Sequence, residues 1–295
     1  MSKTLELDQD NVLRFSYHFL IDYGHFFTIP RKMLKISFDK KLYSEPKCKE
    51  VYAKKVYSGY LKSVKDSGKK VACVRNLNLW NGSVEGFLKI YDGEINVWKE
   101  LDHHQNLVEF YGACCWDLGH EDVHLFAGYT VIFVMERMEM TLRDYMKLHT
   151  KPTKKLVMSI LCQLTRPIKF LSDQGIENKC MQTYNFLVQK DNDRDDIVLK
   201  LGYFGLIRKQ DPFNCTKEDV YRLGCILMEL LEWGGLESEK EIMDKLVEMK
   251  NIDPVKRPDI SEILVLLENE LKTCDLIESL FDLDMGKKLE DKPCG

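Results

Sequence analysis

The stretch Asp173-Gln174-Gly175-Ile176-Glu177-Asn178-Lys179-Cys180-Met181-Gln182-Thr183-Tyr184-Asn185-Phe186-Leu187-Val188, followed by Leu199-Lys200-Leu201-Gly202-Tyr203-Phe204-Gly205-Leu206, decides how this chain folds. Two apolar runs, one opening after Asn185 and one ending at Leu201, read as paired strands. The short, polar Asp191-Asn192-Asp193-Arg194-Asp195-Asp196 between them predicts an extended hairpin loop. Its acids lack the central glycine and terminal glutamate of a calcium loop, so solvation is their role. Asn185 reads as a residue that caps and ties the connecting loop through hydrogen bonds.

The bulk of the chain narrows the function classes. With 295 residues and 44% hydrophobic content it can bury a full core, which suits one two-lobed domain better than several small ones. A net charge of −4 gives no electrostatic case for nucleic acid or an anionic membrane. The 10 cysteines form no CxxC pair, so neither a zinc ribbon nor a thioredoxin-type site is suggested, and they read as reduced, mostly buried hydrophobes. The apolar run from Phe15 to Ile29 is interrupted by His18, Asp22, Tyr23, Gly24 and His25, and fails as a membrane span or signal core. Cytoplasm is the expected compartment. No metal is expected, because the adjacent His103 and His104 have no further ligands spaced with them.

Upstream of the opening stretch, residues 1–45 carry no assigned motif and are read as a helix or strand packed on the neighbouring domain. Alternation over Val51-Tyr52, Lys55 to Leu61 and Gly68 to Val74 predicts three short strands. Tyr91, Ile95, Trp98 and Leu101 then recur at helical spacing. Thr130 to Met135 predicts a buried strand and Lys154 to Leu171 a long amphipathic helix, which Pro167 should kink or locally end. Downstream come Lys217-Glu218-Asp219-Val220-Tyr221-Arg222-Leu223-Gly224, opening another helix, and Asn251-Ile252-Asp253-Pro254-Val255-Lys256-Arg257-Pro258.

Taken in order, these segments resemble a protein kinase domain over about Lys49 to Leu271. The resemblance implies an α+β, bilobal kinase-like fold with a small β-rich N-lobe, a helical C-lobe, and a shortened activation segment and docking-helix region. The domain is expected over 46–272, with N-lobe about 46–134, hinge 135–139 and C-lobe 140–272; residues 1–45 stand as an N-terminal extension and 273–295 as a tail.

In the family, the glycine-rich loop, a lysine on the third strand and two aspartates hold ATP, Mg²⁺ and the substrate hydroxyl. Matched by position, Lys49, Val51 and Lys54 replace the glycines, Val74 the lysine, Cys180 the catalytic aspartate and Tyr203 the Mg²⁺ aspartate. Glu94 and Asn185 are retained. The resemblance therefore implies a pseudokinase that is not an enzyme and needs no cofactor. A vestigial nucleotide pocket would comprise Val56, Ala72, Met135, Glu136, Met138 and Leu187, while Trp98, Phe110 and Phe204 match a hydrophobic spine with Asn178 at its base. Arg257 is left without the glutamate that pairs with it in the family.

Within kinases, Phe133-Val134-Met135-Glu136 with Thr141-Leu142-Arg143, and Tyr184-Asn185-Phe186-Leu187-Val188-Gln189, are most similar to the mixed lineage kinase domain-like pseudokinases, specifically their truncated poxviral homologues. That likeness implies a decoy that binds and sequesters a host receptor-interacting kinase to block necroptosis, in the host cell cytoplasm, without nucleic acid or membrane insertion. Phe213 and Trp233, expected on short loops, are the candidate partner contacts. The alternative is a regulatory, nucleotide-binding pseudokinase related to the kinase-like domain of the 2-5A-dependent ribonuclease.

Overall fold

The computed structural model describes residues 29, 31–42, 54–62, 68–76, 97–98, 100–117, 129–178, 181–191, 196–202, 206–208 and 212–290. The chain divides into two compact units: 1–103 with 108–139, and 104–107 with 140–295.

The first unit is built on a five-stranded antiparallel sheet in the order β1-β2-β3-β5-β4, formed by β1 (Leu34–Lys41), β2 (Lys54–Leu61), β3 (Lys69–Asn76), β4 (Phe110–Asp117) and β5 (Tyr129–Glu136). The sheet thus starts before residue 46. β1 lies within the stretch assigned to an N-terminal extension and pairs with β2 through Leu34↔Leu61 and Ile36↔Gly59. The strand expected at Val51-Tyr52 lies outside the described residues. Strand alternation sends Leu34, Tyr57, Val71, Cys73, Cys114, Ile132 and Val134 to one face, where they form a core with Ile29. Ala72 and Met135, which are Cα partners, belong to the opposite face. There Trp98 packs on Phe110 at 6.3 Å between ring centroids, and Phe110 meets Phe133 edge-on at 6.1 Å. The retained Glu94 and most of the helix expected around it lie outside the described residues.

The second unit is mainly helical. α1 (Leu142–Leu148) is capped by Thr141, whose hydroxyl oxygen accepts the Asp144 N–H at 3.1 Å. α2 (Lys154–Asp173) is capped in the same way by Thr153 and runs through Pro167 as one helix. A proline removes its own N–H and crowds the carbonyl four residues before it, and the ten buried residues on this helix hold it in place against both. The side chain of Gln163 fastens it to the strand carrying Leu199, accepting the Leu199 N–H at 2.8 Å and donating to the Ile197 carbonyl at 3.1 Å.

Three short ladder pieces complete this unit's β structure. β7 (Ile176–Asn178) pairs with β10 (Leu206–Arg208), and β6 (Met140–Thr141) joins β8 (Phe186–Asp191) and β9 (Asp196–Leu201) in a three-stranded sheet. α3 (Pro212–Gly234) begins five residues earlier than the sequence pattern at Lys217 suggested, with proline at its first position, where a missing N–H costs nothing. Only residues 209–211 separate it from β10.

Between α3 and the Asp253-Pro254 turn lies one ten-residue helix, α4 (Lys240–Met249). α5 (Ile260–Glu290) continues through residue 273, where the tail was expected to begin.

Arg257 corrects an expectation. Its guanidinium donates to the Lys217 carbonyl at 2.7 Å and the Asn251 carbonyl at 2.9 Å, and lies 5.0 Å over the Tyr221 ring. Lys217 in turn donates from its ammonium to the Arg257 carbonyl. Backbone oxygens of neighbouring segments, with the Glu218 carboxylate 3.6 Å from the same guanidinium, thus take the place of the family's glutamate. Sequence spacing could not show this, because any carbonyl can serve as acceptor.

Candidate functional site

The candidate site is the segment from β7 to Gly202 in the second unit. β7 ends at Asn178, which pairs with Leu206 of β10, the strand that precedes α3. α3 reaches back to it. The Asp219 carboxylate accepts the Asn178 backbone N–H at 3.2 Å, and the Arg222 guanidinium donates to the Asn178 carbonyl at 3.2 Å. The same guanidinium lies 3.2 Å from the Glu177 carboxylate, 3.5 Å from Asp219 and 3.3 Å from Glu218. Glu177 and Asp219 are almost fully buried, at 2% and 1% exposure. Carboxylates at that depth require compensating charge and hydrogen bonds; Arg222 supplies charge to both and a hydrogen bond to Glu177, and Asp219 accepts the Asn178 N–H.

Asn185 sits at the far end of the loop and is buried. Its N–H donates to the Gln182 carbonyl at 2.9 Å, closing a turn, and its own carbonyl accepts the Gly202 N–H at 2.7 Å. That contact needs glycine: a Cβ on residue 202 would stand 2.9 Å from the Asn185 carbonyl oxygen. Phe186, Leu187 and Val188 follow as a buried strand, with Leu187 opposite Lys200 and Thr141. The loop is therefore pinned at both ends. Cys180 and Tyr203, the two positions on which the sequence comparison turned, and Phe204 lie outside the described residues.

The other predicted pocket residues fall in the first unit. Alternation places Val56, Ala72 and Met135 on one sheet face, and Val74 stands in the ladder opposite Val56 and Phe133. This fixes the register without a slip that would bring Arg75 to the position of Val74. Glu136 belongs to the opposite face, where its carboxylate accepts the Glu109 N–H at 3.1 Å. Met138 is buried. The structure thus groups Val56, Ala72 and Met135, and groups Asn185 with Leu187. Among the described residues, no set of three or more His, Cys, Asp or Glu side chains could hold a metal ion.

Of the two proposed partner contacts, Trp233 lies in the last turn of α3 and not on a loop. Its indole N–H lies 2.9 Å from the His149 carbonyl and 3.1 Å from that of Met146, and its ring meets Tyr145 edge-on at 6.4 Å. This ties α3 to α1. Phe213 falls on the first turn of α3, and its side chain lies outside the described residues. Sequence reasoning missed Glu177 and Arg222, because a charge pair that meets only across two elements leaves no local pattern.

Residues 51–238 match the family model described as protein tyrosine and serine/threonine kinase. The chain is 25% identical over 218 residues to the serine/threonine-protein kinase atg1 of Dictyostelium discoideum, covering 66% of this chain and 30% of that protein. It is 28% identical over 187 residues to cyclin-dependent kinase G-1 of Oryza sativa subsp. indica, covering 55% and 25%. To mitogen-activated protein kinase 4 of Rattus norvegicus it is 26% identical over 202 residues, covering 58% and 70%. The chain thus spans under a third of the first two relatives.

These matches overturn the expectation that the chain is not an enzyme, since the family and the relatives are kinases by name. The exclusion rests on the identities of the glycine-loop positions Lys49, Val51 and Lys54 and of Val74, Cys180 and Tyr203. Residue identity at a matched position is not the geometry of a site, and these side chains lie outside those described. The two-unit architecture, a β-sheet unit and a helical one, is the bilobal α+β fold expected. With more than half of its length matched, the chain belongs to the protein tyrosine and serine/threonine kinase family.

Proposed function

We propose that this chain works as a kinase-fold protein-binding module that engages a receptor-interacting kinase of a host cell in its cytoplasm and so blocks necroptosis. The reading rests on the resemblance to the truncated poxviral mixed lineage kinase domain-like pseudokinases. The observation that carries it furthest is the short connection between β10 and α3, three residues long, beside a loop fastened at Asn178 and Asn185. A frame held this firmly presents a fixed surface, and binding to a fixed surface avoids the entropic cost of ordering it. No helix among the described residues is long and apolar enough to cross a membrane.

A second reading, phosphoryl transfer, is favoured by the family and by the relatives' names. Asn185 would then occupy the position of the family's catalytic-loop asparagine, which holds a metal ion beside ATP.

Affinity capture of the full chain from cells undergoing necroptosis, followed by mass spectrometry, tests the first reading. A receptor-interacting kinase among the specific partners supports it, and its absence overturns it. Radiolabelled ATP with Mg²⁺ tests the second: incorporation into the chain or a general substrate that is lost in Asn185→Ala supports phosphoryl transfer.

A further inference from the structure

We infer that Arg222 is a positioning residue, the clamp by which α3 sets the start of the loop that leads to Asn185. It acts on the strand rather than on any ligand. One guanidinium reaches the Glu177 carboxylate and the Asn178 carbonyl of β7, both at 3.2 Å, and is braced on its own helix by Glu218 at 3.3 Å and Asp219 at 3.5 Å. Asp219 completes the hold from the other side by accepting the Asn178 N–H. The peptide group after Asn178 is therefore gripped through its carbonyl by Arg222, and the one before it through its N–H by Asp219.

Nη1 alone reaches Glu177, the Asn178 carbonyl and Asp219, while Nη2 reaches Glu218. A lysine ammonium is one nitrogen and would hold the strand without the second brace on the helix. The inference deepens the reading of this segment as the working part of the second unit, and rests on that reading for its functional consequence.

Hydrogen–deuterium exchange on the full chain tests the clamp directly, with Arg222→Met, Arg222→Lys and Glu177→Gln compared with wild type. Loss of a charged hydrogen-bonding partner predicts exchange about tenfold or more faster at amides 176–188 in Arg222→Met, with no comparable rise in α2 or α5. Arg222→Lys should recover only part of the protection, and Glu177→Gln should lose less than Arg222→Met because the Asn178 carbonyl remains bound. Unchanged exchange at 176–188, or an increase shared evenly with α2 and α5, overturns the inference. If Arg222→Met does not fold, the ranking of the other two variants decides it by the same criteria.

Capture of a receptor-interacting kinase by the same proteins separates the two levels. Wild type capturing none sinks the proposed function and leaves the clamp standing. A locally loosened Arg222 variant that binds as well as wild type removes the clamp's functional role.

Discussion

At the scale of single residues, the site depends on close contacts that tolerate little addition. Gly202→Ala would place a methyl group 2.9 Å from the Asn185 carbonyl oxygen, a backbone atom that cannot swing aside. The expected loss is about 1–3 kcal/mol, with the 2.7 Å bond from the Gly202 N–H to that carbonyl strained first. Chemical denaturation of the variant checks this, and a stability equal to wild type would contradict the packing described. Thiol chemistry offers a second test. Burial pushes the Cys73 thiol up to about 12, with Cys114 adding to the effect, and burial does the same to Cys162. At pH 8 both should stay protonated and resist iodoacetamide in the native protein, then alkylate once it is unfolded. Peptide mapping of native and denatured samples reads the difference.

At the scale of elements, the start of α5 shows how a few local residues fix a long helix. The Asp259 carboxylate accepts the Ser261 N–H at 2.8 Å and the Ser261 hydroxyl, while the Glu262 carboxylate accepts the Asp259 N–H at 3.3 Å. This is a capping box, and Asp259→Ala should cost about 1 kcal/mol. The Ser261 hydroxyl and amide hold the Asp259 carboxyl below its ordinary value of 3.8. A lowered folded value means that the ionised carboxylate's contribution is fully present above pH 3.8. It is lost as the pH falls through the folded value. The stability gap between wild type and Asp259→Ala should therefore be constant near neutrality and narrow in acid, as urea melts from pH 7 downward would show. The ion pairs that Lys155 makes with Asp275 and Glu278 across α2 and α5 are solvent-exposed, so they contribute far less than their short distances suggest.

At the scale of the whole molecule, the net charge bears on the binding of polyanions. A net charge of −4 carries no basic field to condense polyanions. The full chain should pass through heparin resin at 0.15 M salt and bind an anion exchanger at pH 7. Retention on heparin would reveal a local basic surface and would reopen nucleic acid as a partner. The kinase family leaves two activities in view, capture of a protein and transfer of a phosphoryl group, and the capture and radiolabel experiments distinguish them.

The sequence by itself determined the class and most of the element order. Strand alternation and helical spacing are local signals, so β2, β3, β5 and α2 could be read directly from residue patterns; of the expected polar loop, Asp191 and Asp196 pair at the strand ends and residues 192–195 lie outside those described. Asn185 reads as a loop-tying residue; the bonds at it, from its N–H to Gln182 and to its carbonyl from Gly202, are made by the backbone and would serve any residue there. The tertiary structure alone decided what depends on distant partners. It drew β1 into the sheet from residues that carry no motif, because a strand's edge is chosen by its neighbour and not by its own sequence. It satisfied Arg257 with backbone carbonyls, which have no sequence signature, and set the Glu218 carboxylate 3.6 Å away. It also brought Glu177 and Asp219 to one guanidinium at Arg222, since buried charges find partners by proximity in space, at separations that no periodicity records.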